Sequence, residues 1–165
     1  MRVRLRPARP ADAPRLTRIA HAAKRHWGYP EAWIRLWRAG LTVRPAHLCR
    51  HAVTVALLRG RISGFVSVRI EGRGAELEHL WVLPAAIGRG VGRVLFAHAL
   101  WRCARRGVRG LGVTADPNAA DFYRALGGRD AGTVRSVPPP RKLPHLRFVP
   151  VLGSRRRGKP RGGKP

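Results

Sequence analysis

The spacing of apolar residues changes several times along the chain, and each change predicts a boundary between secondary-structure elements. Val3 and Leu5 alternate with arginines, which is the period of a half-buried strand. From residue 13 the apolar positions recur every three or four residues, which is the period of an amphipathic helix. Continued along the sequence, the same reasoning predicts helices over 13–25, 31–40, 91–106 and 117–126. It predicts strands over 2–6, 51–58, 62–70, 75–83, 108–114, 130–137 and 143–152.

The order of these elements predicts an α/β fold. A helix pair is followed by strands joined through short turns, such as Arg59-Gly60-Arg61, so this part of the sheet is expected to be antiparallel. Arg44-Pro45 begins a stretch expected to be irregular, and the turn near the end contains Pro138-Pro139-Pro140. We therefore expect a mixed, mostly antiparallel sheet of six to seven strands, flanked by helices, in a single domain over residues 1–152.

The last residues, 153–165, form a different kind of segment. From Ser154 onwards the sequence has no apolar residue and is rich in Arg, Lys, Gly and Pro. A segment of this composition cannot bury a core, so we expect a disordered basic tail that makes non-specific contacts with anionic surfaces.

Charge is the most unusual feature of the composition. The chain has 34 Lys and Arg against 8 Asp and Glu, a formal net charge of +26. This excess would suit a partner rich in phosphate, such as a nucleic acid. However, the arginines are spread along the whole chain, as a coding bias towards G and C would also produce. The charge therefore leaves open an alternative function as a basic module associated with nucleic acid or the ribosome.

Other classes are disfavoured. No apolar run is long enough to span a membrane, and the first residues lack the apolar core of a signal peptide, so we expect a cytoplasmic protein. Cys49 and Cys103 are isolated, with no CxxC pair or matching His spacing. This argues against a disulfide scaffold and a zinc site, and no metal is expected.

The strongest chemical signal is a glycine-rich segment between the strand at 75–83 and the helix that begins at residue 91. Gly88, Gly90 and Gly92 allow backbone N–H groups to converge on an anion at the positive end of that helix. The order of glycines fits neither a Walker A loop nor the GxGxxG dinucleotide loop. A turn that only tightens the strand-to-helix connection is the alternative.

This segment resembles the pyrophosphate loop of the GNAT superfamily of acetyl-CoA-dependent N-acetyltransferases. The family pattern, Arg/Gln-x-x-Gly-x-Gly/Ala, is matched at Gly90 and Gly92 and departs at Ile87. A second segment, residues 115–128, resembles the family's Asn and Phe-Tyr motif through Asn118, Phe122 and Tyr123. The resemblance covers nearly all of residues 1–152. It implies the GNAT fold, acetyl-CoA as cosubstrate and direct acetyl transfer to an amine.

The resemblance also implies which residues bind the cosubstrate. Asn118 would bind the pantetheine arm, and a bulge near Trp81 and Val82 would free main-chain groups for the acetyl carbonyl and the pantetheine. The remaining expected cofactor-binding residues belong to the loop and the second motif: Ile87, Gly88, Arg89, Gly90, Val91, Gly92, Arg93 and Phe122.

Catalysis of this reaction requires a base for the amine and a proton donor for the departing thiolate. The resemblance gives Tyr123 the donor role. For the base, Glu78 is the first choice and Glu76 the second. Carboxylates are unusual in a central strand, and these two residues are two positions apart, so they share a face of the strand. Ion pairing with neighbouring arginines is the alternative for both. Strict alternation places His79 on the opposite face, where we expect it to pack.

The acceptor is the least determined part of the reaction. His26, Trp27 and Tyr29, which follow the first helix, are candidates for its binding wall, although they equally fit an ordinary aromatic cluster. Trp27-Gly28-Tyr29, together with the segment from Pro139 to Pro144, resembles a bacterial subgroup of the family. We expect a small-molecule or peptide amine as acceptor, and a monomer or homodimer. A GNAT-fold protein that binds CoA without catalysis is a further alternative.

Overall fold

The structure is a computed structural model that describes residues 2–137 and 139–152. The predicted tail at 153–165, and Pro138 of the predicted turn, lie outside the described residues. The helices are α1 (Ala13–His26), α2 (Glu31–Leu36), α3 (Arg38–Leu41), α4 (Pro45–Arg50), α5 (Val91–Arg105) and α6 (Ala120–Ala125). The strands are β1 (Arg4–Pro7), β2 (Val53–Leu58), β3 (Arg61–Glu71), β4 (Gly74–Val82), β5 (Gly110–Thr114), β6 (Arg129–Ser136) and β7 (Arg141–Phe148).

All seven strands belong to one sheet in the order β1-β2-β3-β4-β5-β7-β6. Only β4 and β5 run parallel, because α5 carries the chain across one face of the sheet between them. The other neighbours are antiparallel. The predicted mixed, mostly antiparallel sheet with flanking helices is therefore confirmed.

Helices cover both faces of this sheet. On one face, Leu16 and Ile19 of α1 pack with Val55 and Phe65 of the sheet. On the other face, α5 packs on the neighbouring strand residues, and its Leu95 has no exposed surface. The alternation of apolar residues along β2 and β3 supplies both cores, since successive side chains of a strand point to opposite faces.

The most important irregularity for function is the divergence of β4 from β5. The parallel ladder joins only three residue pairs, from Gly74 with Gly110 to Glu76 with Gly112. Beyond Glu76, β4 continues to Val82 and β5 continues to Thr114 without further pairing between them. The two strands thus open a gap in the middle of the sheet, and this gap lies beside the loop that precedes α5.

A β-bulge at Glu78 changes the direction of the side chains along β4. In the ladder with β3, Ser67 pairs with His79 and Val68 pairs with Leu77, so Glu78 is the extra residue. The bulge predicted near Trp81 and Val82 was therefore placed too far along the strand.

This bulge also overturns the strict alternation that the sequence suggested. Glu78 and His79 lie on the same face, where both are close to His47. Leu80 packs with the α5 core on the other face. The prediction that His79 faces away from Glu78 was wrong, because the inserted residue reverses the phase of every position after it.

The segment between the first helix and β2 differs from its prediction in two ways. The helix expected over 31–40 is divided at Trp37 into α2 and α3. The irregular stretch expected after Arg44 instead contains α4, which begins at Pro45, a favourable first helical residue. Helix α4 lies on the α1 side of the sheet, where its His47 reaches Ser67 of β3.

Within the described residues, no helix combines the length and the apolar character that a membrane crossing requires.

Candidate functional site

The glycine-rich loop enters α5 through left-handed backbone conformations. Gly88 has φ of +76° and Gly90, the N-cap of α5, has φ of +78°. These values strain any residue with a Cβ atom, so the path of the loop depends on glycine. The first turn of α5 contains no acidic residue. Its first N–H groups have no partners within the helix and carry partial positive charge, which suits a phosphate.

This loop and the second motif form one cavity of about 380 Å³. The loop and the start of α5 form one wall, and the segment from Asn118 to Tyr123 forms another. Val82 of β4 and Trp27 of the first connection complete it. Of the expected cofactor-binding residues, the cavity is lined by Val82, Ile87, Gly88, Gly90, Val91, Gly92, Arg93, Asn118 and Phe122.

The side chains of two expected cofactor-binding residues lie outside the lining of this cavity. Arg89 is exposed on the loop, outside the described lining of the cavity. The Trp81 side chain packs with the α1 core on the opposite face of the sheet, because the bulge at Glu78 shifts its phase. Any contact of Trp81 with a ligand in the gap would have to come from its main chain.

Gly92 brings the two motifs into contact. A Cβ atom at this position would lie 3.3 Å from Cζ of Phe122. The glycine therefore allows α6 to approach the first turn of α5 closely, which narrows the cavity at this point.

Tyr123 lines the cavity from a buried position. Its side chain is buried, with 6% exposure, and its ring packs edge-on against Phe96 at 5.4 Å and Phe122 at 5.1 Å between centroids. Burial, together with the negative charge of Asp116, raises the pKa of the Tyr123 phenol far above its ordinary value. The phenol therefore carries its proton at physiological pH, as a proton donor must.

Asp116 connects the second motif with α1. Its carboxylate accepts hydrogen bonds from Lys24 at 2.5 Å, the Tyr29 hydroxyl at 2.9 Å and the Asn118 backbone at 3.0 Å. Burial alone would raise its pKa, but the Lys24 ammonium and the other donors hold the pKa of Asp116 below its ordinary value. The Asn118 side chain also donates to the Tyr29 hydroxyl at 3.1 Å. Asn118 is thus held in a fixed orientation beside the cavity.

Tyr29 belongs to an aromatic group that contains two cations. Trp33 and Trp37 surround its ring, with centroids 6.0 Å and 5.1 Å away. The Lys24 ammonium lies 4.5 Å from the Trp37 ring, and the Arg141 guanidinium lies 4.8 Å from the same ring. Arg141 also donates to the Tyr29 hydroxyl at 3.1 Å. The two segments that resembled a bacterial subgroup therefore meet in space.

The structure separates Tyr29 from the other two candidates for the acceptor wall. Trp27 lines the cavity beside the loop, while Tyr29 is held in the network with Asp116. His26 is exposed and packs edge-on against Trp27, with centroids 5.3 Å apart. The chain turns at Gly28, where φ is +72°, between Tyr29 and the other two residues.

Glu78 is surrounded by hydrogen-bonding groups from β3 and α4. Ser67 donates to its Oε2 at 2.9 Å, and the Arg69 Nε lies 3.6 Å from its Oε1. Nε2 of His47 and Nδ1 of His51 lie 3.9 Å and 3.8 Å from Oε2. The carboxylate is partly exposed, with 21% of the side chain accessible. It is therefore fixed in position and reachable from solvent.

Glu76 has different surroundings. Its carboxylate lies directly over Gly112 of β5, in the space that a Cβ atom would occupy. It faces a groove whose wall includes Arg73, Arg109 and Arg147, at the paired end of β4 and β5. Glu76 thus lies where β4 and β5 are still paired, and Glu78 lies beyond the point where the two strands separate.

The structure adds three histidines that the sequence reasoning did not use as site residues. His47, His51 and His79 lie together on the face that carries Glu78, and they line a cavity of about 280 Å³. Burial, and then the proximity of the other histidines, lowers the pKa of His79, which keeps its ring neutral at neutral pH. The spacing of His47 and His51 by four residues was the available signal, but it required a helix after Arg44.

Comparison with known proteins agrees with this geometry. Residues 49–127 match the acetyltransferase (GNAT) domain family. No curated protein sequence matches the chain significantly.

Solved structures with the same fold cover almost the whole chain. PaiA N-acetyltransferase from Thermoplasma acidophilum, in complex with coenzyme A, superposes with a TM-score of 0.77 at 17% identity, over 90% of this chain and 99% of that one. A GCN5-related N-acetyltransferase from Rhodopseudomonas palustris gives 0.72 at 25% identity, over 90% and 96%. The yncA protein of Salmonella typhimurium with its cofactor acetyl-CoA gives 0.66 at 19% identity, over 96% and 100%.

The divergent strands, the glycine loop at the start of α5 and the matched region of the sequence lead to one assignment. The chain has the GNAT fold, and its residues 49–127 match the acetyltransferase (GNAT) domain family.

Proposed function

We propose that this protein transfers the acetyl group of acetyl-CoA directly to a primary amine. The observation that carries the proposal is the meeting of the two motifs in one cavity, beside the gap between β4 and β5. A cosubstrate in that gap would reach both faces of the sheet. Its thioester would lie close to Tyr123 on one face and to Glu78 on the other.

The loop would hold the pyrophosphate of the cosubstrate. The N–H groups at the start of α5 supply hydrogen bonds without an opposing acidic charge, and Arg93 adds a positive charge at the cavity wall. Ile87 and Val91 provide apolar contacts. Arg89 would contribute only long-range attraction from its exposed position.

The pantetheine arm would run along β4. Main-chain groups on the β5 side of β4 lie beyond the parallel ladder, which ends at Glu76, so they are available to an extended ligand in place of a strand. The backbone of Trp81 and Val82 would make these contacts, with Asn118 opposite. The bulge at Glu78 marks the start of this free edge.

Acetyl transfer requires two proton movements. The neutral amine nitrogen attacks the thioester carbonyl carbon, the C–S bond breaks, and the thiolate takes a proton from the Tyr123 phenol. Glu78 takes the proton released by the amine, directly or through a water molecule. Glu76 is the weaker candidate for the base because it lies over Gly112, where the strands are still paired.

The acceptor would approach from the face that carries the three histidines. The cavity there is lined by His47, His51 and His79, and Arg44 lies at its wall. Arg69 lies beside Glu78. These cations disfavour a polyamine acceptor, because like charges in a partly desolvated site repel. A small molecule or peptide with one amine and little other positive charge fits better.

The remaining expectations stand as part of the proposal. The catalytic domain spans residues 1–152, and the basic segment at 153–165 contributes only non-specific anionic contacts. The protein acts in the cytoplasm, as a monomer or homodimer, and belongs to the bacterial subgroup that carries the Trp-Gly-Tyr segment.

Calorimetry and a thiol-release assay test the proposal together. Acetyl-CoA should bind at moderate salt, and a panel of amines should include at least one that releases free CoA thiol. Absence of acetyl-CoA binding would overturn the proposal. Tight, salt-sensitive RNA binding in its place would support the alternative of a basic nucleic-acid-associated module. Binding of acetyl-CoA without turnover of any amine would support a non-catalytic CoA-binding protein.

The proton donor has its own test. Tyr123→Phe removes the phenolic proton and keeps the ring that packs against Phe96. We expect kcat to fall by about 100-fold, in the range typical of a lost general acid, with little change in acetyl-CoA affinity. Unchanged turnover in steady-state assays would remove Tyr123 from this role.

A further inference from the structure

The side chains around Glu78 include a set of three potential metal ligands that come from two different elements. His47 lies on α4, His51 is the C-cap residue of that helix, and Glu78 is the bulged residue of β4. One ligand atom from each lies within 4.8 Å of the other two. The expectation that the chain has no metal site rested on cysteine spacing, and it did not consider this set.

We propose that His47, His51 and Glu78 form a binding site for a divalent transition-metal ion of the Zn²⁺ type. Two imidazoles and one carboxylate are a common ligand set for such ions. The fourth position would be open to water or another ligand. The site would then have the open coordination that distinguishes reactive or regulatory metal sites from closed structural ones.

The distances fit an ion better than they fit direct pairing. Both histidine nitrogens lie 3.8–3.9 Å from Oε2 of Glu78, which is too long for a hydrogen bond. Bonds of about 2.0–2.2 Å to a tetrahedral ion place neighbouring ligand atoms about 3.3–3.6 Å apart. A displacement of a few tenths of an ångström would bring both imidazole nitrogens to that separation from the carboxylate.

The imidazole rings of His47 and His51 lie next to each other, but they would have to rotate to share an ion, because each imidazole nitrogen binds a metal in the plane of its own ring. The rings of His47 and His51 stack with centroids 4.3 Å apart and an angle of 19° between their planes. Their side chains are 25% and 33% exposed, so an ion can enter from solvent.

The carboxylate has outer partners of the kind that support metal ligands. Ser67 donates to Oε2 at 2.9 Å and fixes the carboxylate against β3. Arg69 is the nearest cation, and its Nε approaches the other oxygen, Oε1, at 3.6 Å. One oxygen of Glu78 therefore pairs with Arg69, while the other faces the histidines. The positive charge of Arg69 weakens the site without blocking it.

Direct metal binding tests this inference without any assay of acetyl transfer. The protein should be free of affinity tags and should carry Cys49→Ser, because Cys49 is an exposed thiol on the same helix. Titration with Zn²⁺ in a calorimeter should show one ion bound per chain. Co²⁺ in its place should give visible absorption bands of coordinated rather than aqueous metal.

Two variants and a matched control test the histidine ligands. His47→Gln and His51→Gln should each weaken Zn²⁺ binding by about tenfold or more, as loss of a supporting interaction at a metal site does. The matched control is His21→Gln, which removes a partly exposed histidine on α1 and should bind Zn²⁺ as the parent protein does. Acetyl-CoA affinity and the unfolding temperature show that each variant is folded.

Absence of Zn²⁺ binding by the parent protein would overturn the inference. If each of the single variants His47→Gln and His51→Gln binds Zn²⁺ as tightly as the parent protein does, the inference is overturned as well. Because Glu78 is also the base under the proposed function, a bound ion should inhibit acetyl transfer. If Zn²⁺ binds at these residues and turnover is unchanged, the metal site stands and the role of Glu78 as base fails.

Discussion

The two faces of β4 near the gap in the sheet have contrasting chemistry. On the α5 face, the cavity is lined by glycines, apolar residues such as Leu80 and Val82, and a deeply buried phenol. On the α1 face, three histidines and a carboxylate lie in partly exposed positions. Under the proposed function, the α5 face would surround a long ligand with a phosphate at one end. The other is built to exchange protons or ligands with solvent, so the reaction would be divided between them.

The largest expected effect comes from removing the carboxylate on the histidine face. Glu78→Gln keeps the shape of the side chain but removes the proposed base, so kcat should fall by about 100-fold or more. Acetyl-CoA affinity should be unchanged, because the cavity proposed for the cofactor lies on the other face. Steady-state thiol release across a range of pH values, with calorimetric binding of acetyl-CoA, measures both.

Glu76→Gln is the matched control for that change. It removes the second carboxylate from the same face of β4, two residues earlier and outside the gap. Turnover should stay within about threefold of the parent value if Glu76 has no part in proton transfer. If Glu76→Gln rather than Glu78→Gln abolishes the pH dependence, the base has been assigned to the wrong residue.

The network around Asp116 joins the second motif to α1, and its loss should lower the free energy of unfolding. Asp116→Asn leaves the Lys24 ammonium without its carboxylate, where the two side chains are only 13% and 10% exposed. Breaking a buried ion pair in this way costs about 3 kcal/mol of unfolding free energy. Glu31→Gln, which breaks the exposed Arg25–Glu31 pair, is the control and should leave stability unchanged. Urea unfolding at neutral pH compares the two variants.

The same network predicts how stability depends on pH. The pKa of Asp116 is lower in the folded protein than its ordinary value, so its contribution is complete above the unfolded pKa of about 4. The contribution is lost as the pH falls through the folded pKa, because protonation removes the charge paired with Lys24. The parent protein should lose more stability than Asp116→Asn between neutral and acidic pH. Parallel losses in the two proteins would contradict this role.

The smallest expected effect is a change in acetyl-CoA affinity caused by a substitution in the glycine-rich loop on the α5 face. Gly90→Ala places a Cβ atom at a left-handed residue of the loop, which costs about 1 kcal/mol of stability. If the strained loop misorients one N–H group that would bind phosphate, acetyl-CoA affinity should fall about tenfold. Gly72→Ala in the hairpin turn between β3 and β4 imposes a similar strain, with φ of +57°, far from the cavity. It should lose similar stability with no change in affinity, and equal affinities for both variants would contradict the loop's role.

The contrast between the faces also explains which features the sequence could predict. The residues of the α5 face belong to short local sequence motifs, such as Gly90 at the start of a helix and Tyr123 in the second motif. These motifs can be recognised directly in the sequence. The sheet and its long helices follow from regular apolar spacing. The bulge at Glu78 has no such signal, because it arises from the pairing of β4 with β3 rather than from either strand alone.

Because the bulge at Glu78 could not be predicted, some residues near the site were placed wrongly. The bulge was expected near Trp81 and Val82 and not at Glu78, so strict alternation placed His79 on the wrong face. Helix α4 was missed because its six residues are too few to show a clear period. His47 and His51 were consequently not connected with Glu78. Long-range pairing and short elements set the histidine face, so its composition could be known only from the structure.

The short parallel ladder between β4 and β5 has a consequence for folding and local motion. Strands β1 to β4 pair with neighbours in sequence, as do β6 and β7, but three residue pairs alone join β4 to β5. This junction closes only after the 27 residues between Val82 and Gly110 have been ordered, so it forms late and opens easily. A ligand bound in the gap would stabilise this junction between β4 and β5. Amide hydrogen exchange along β5 should therefore slow when acetyl-CoA binds, while exchange in the β2–β3 hairpin changes little.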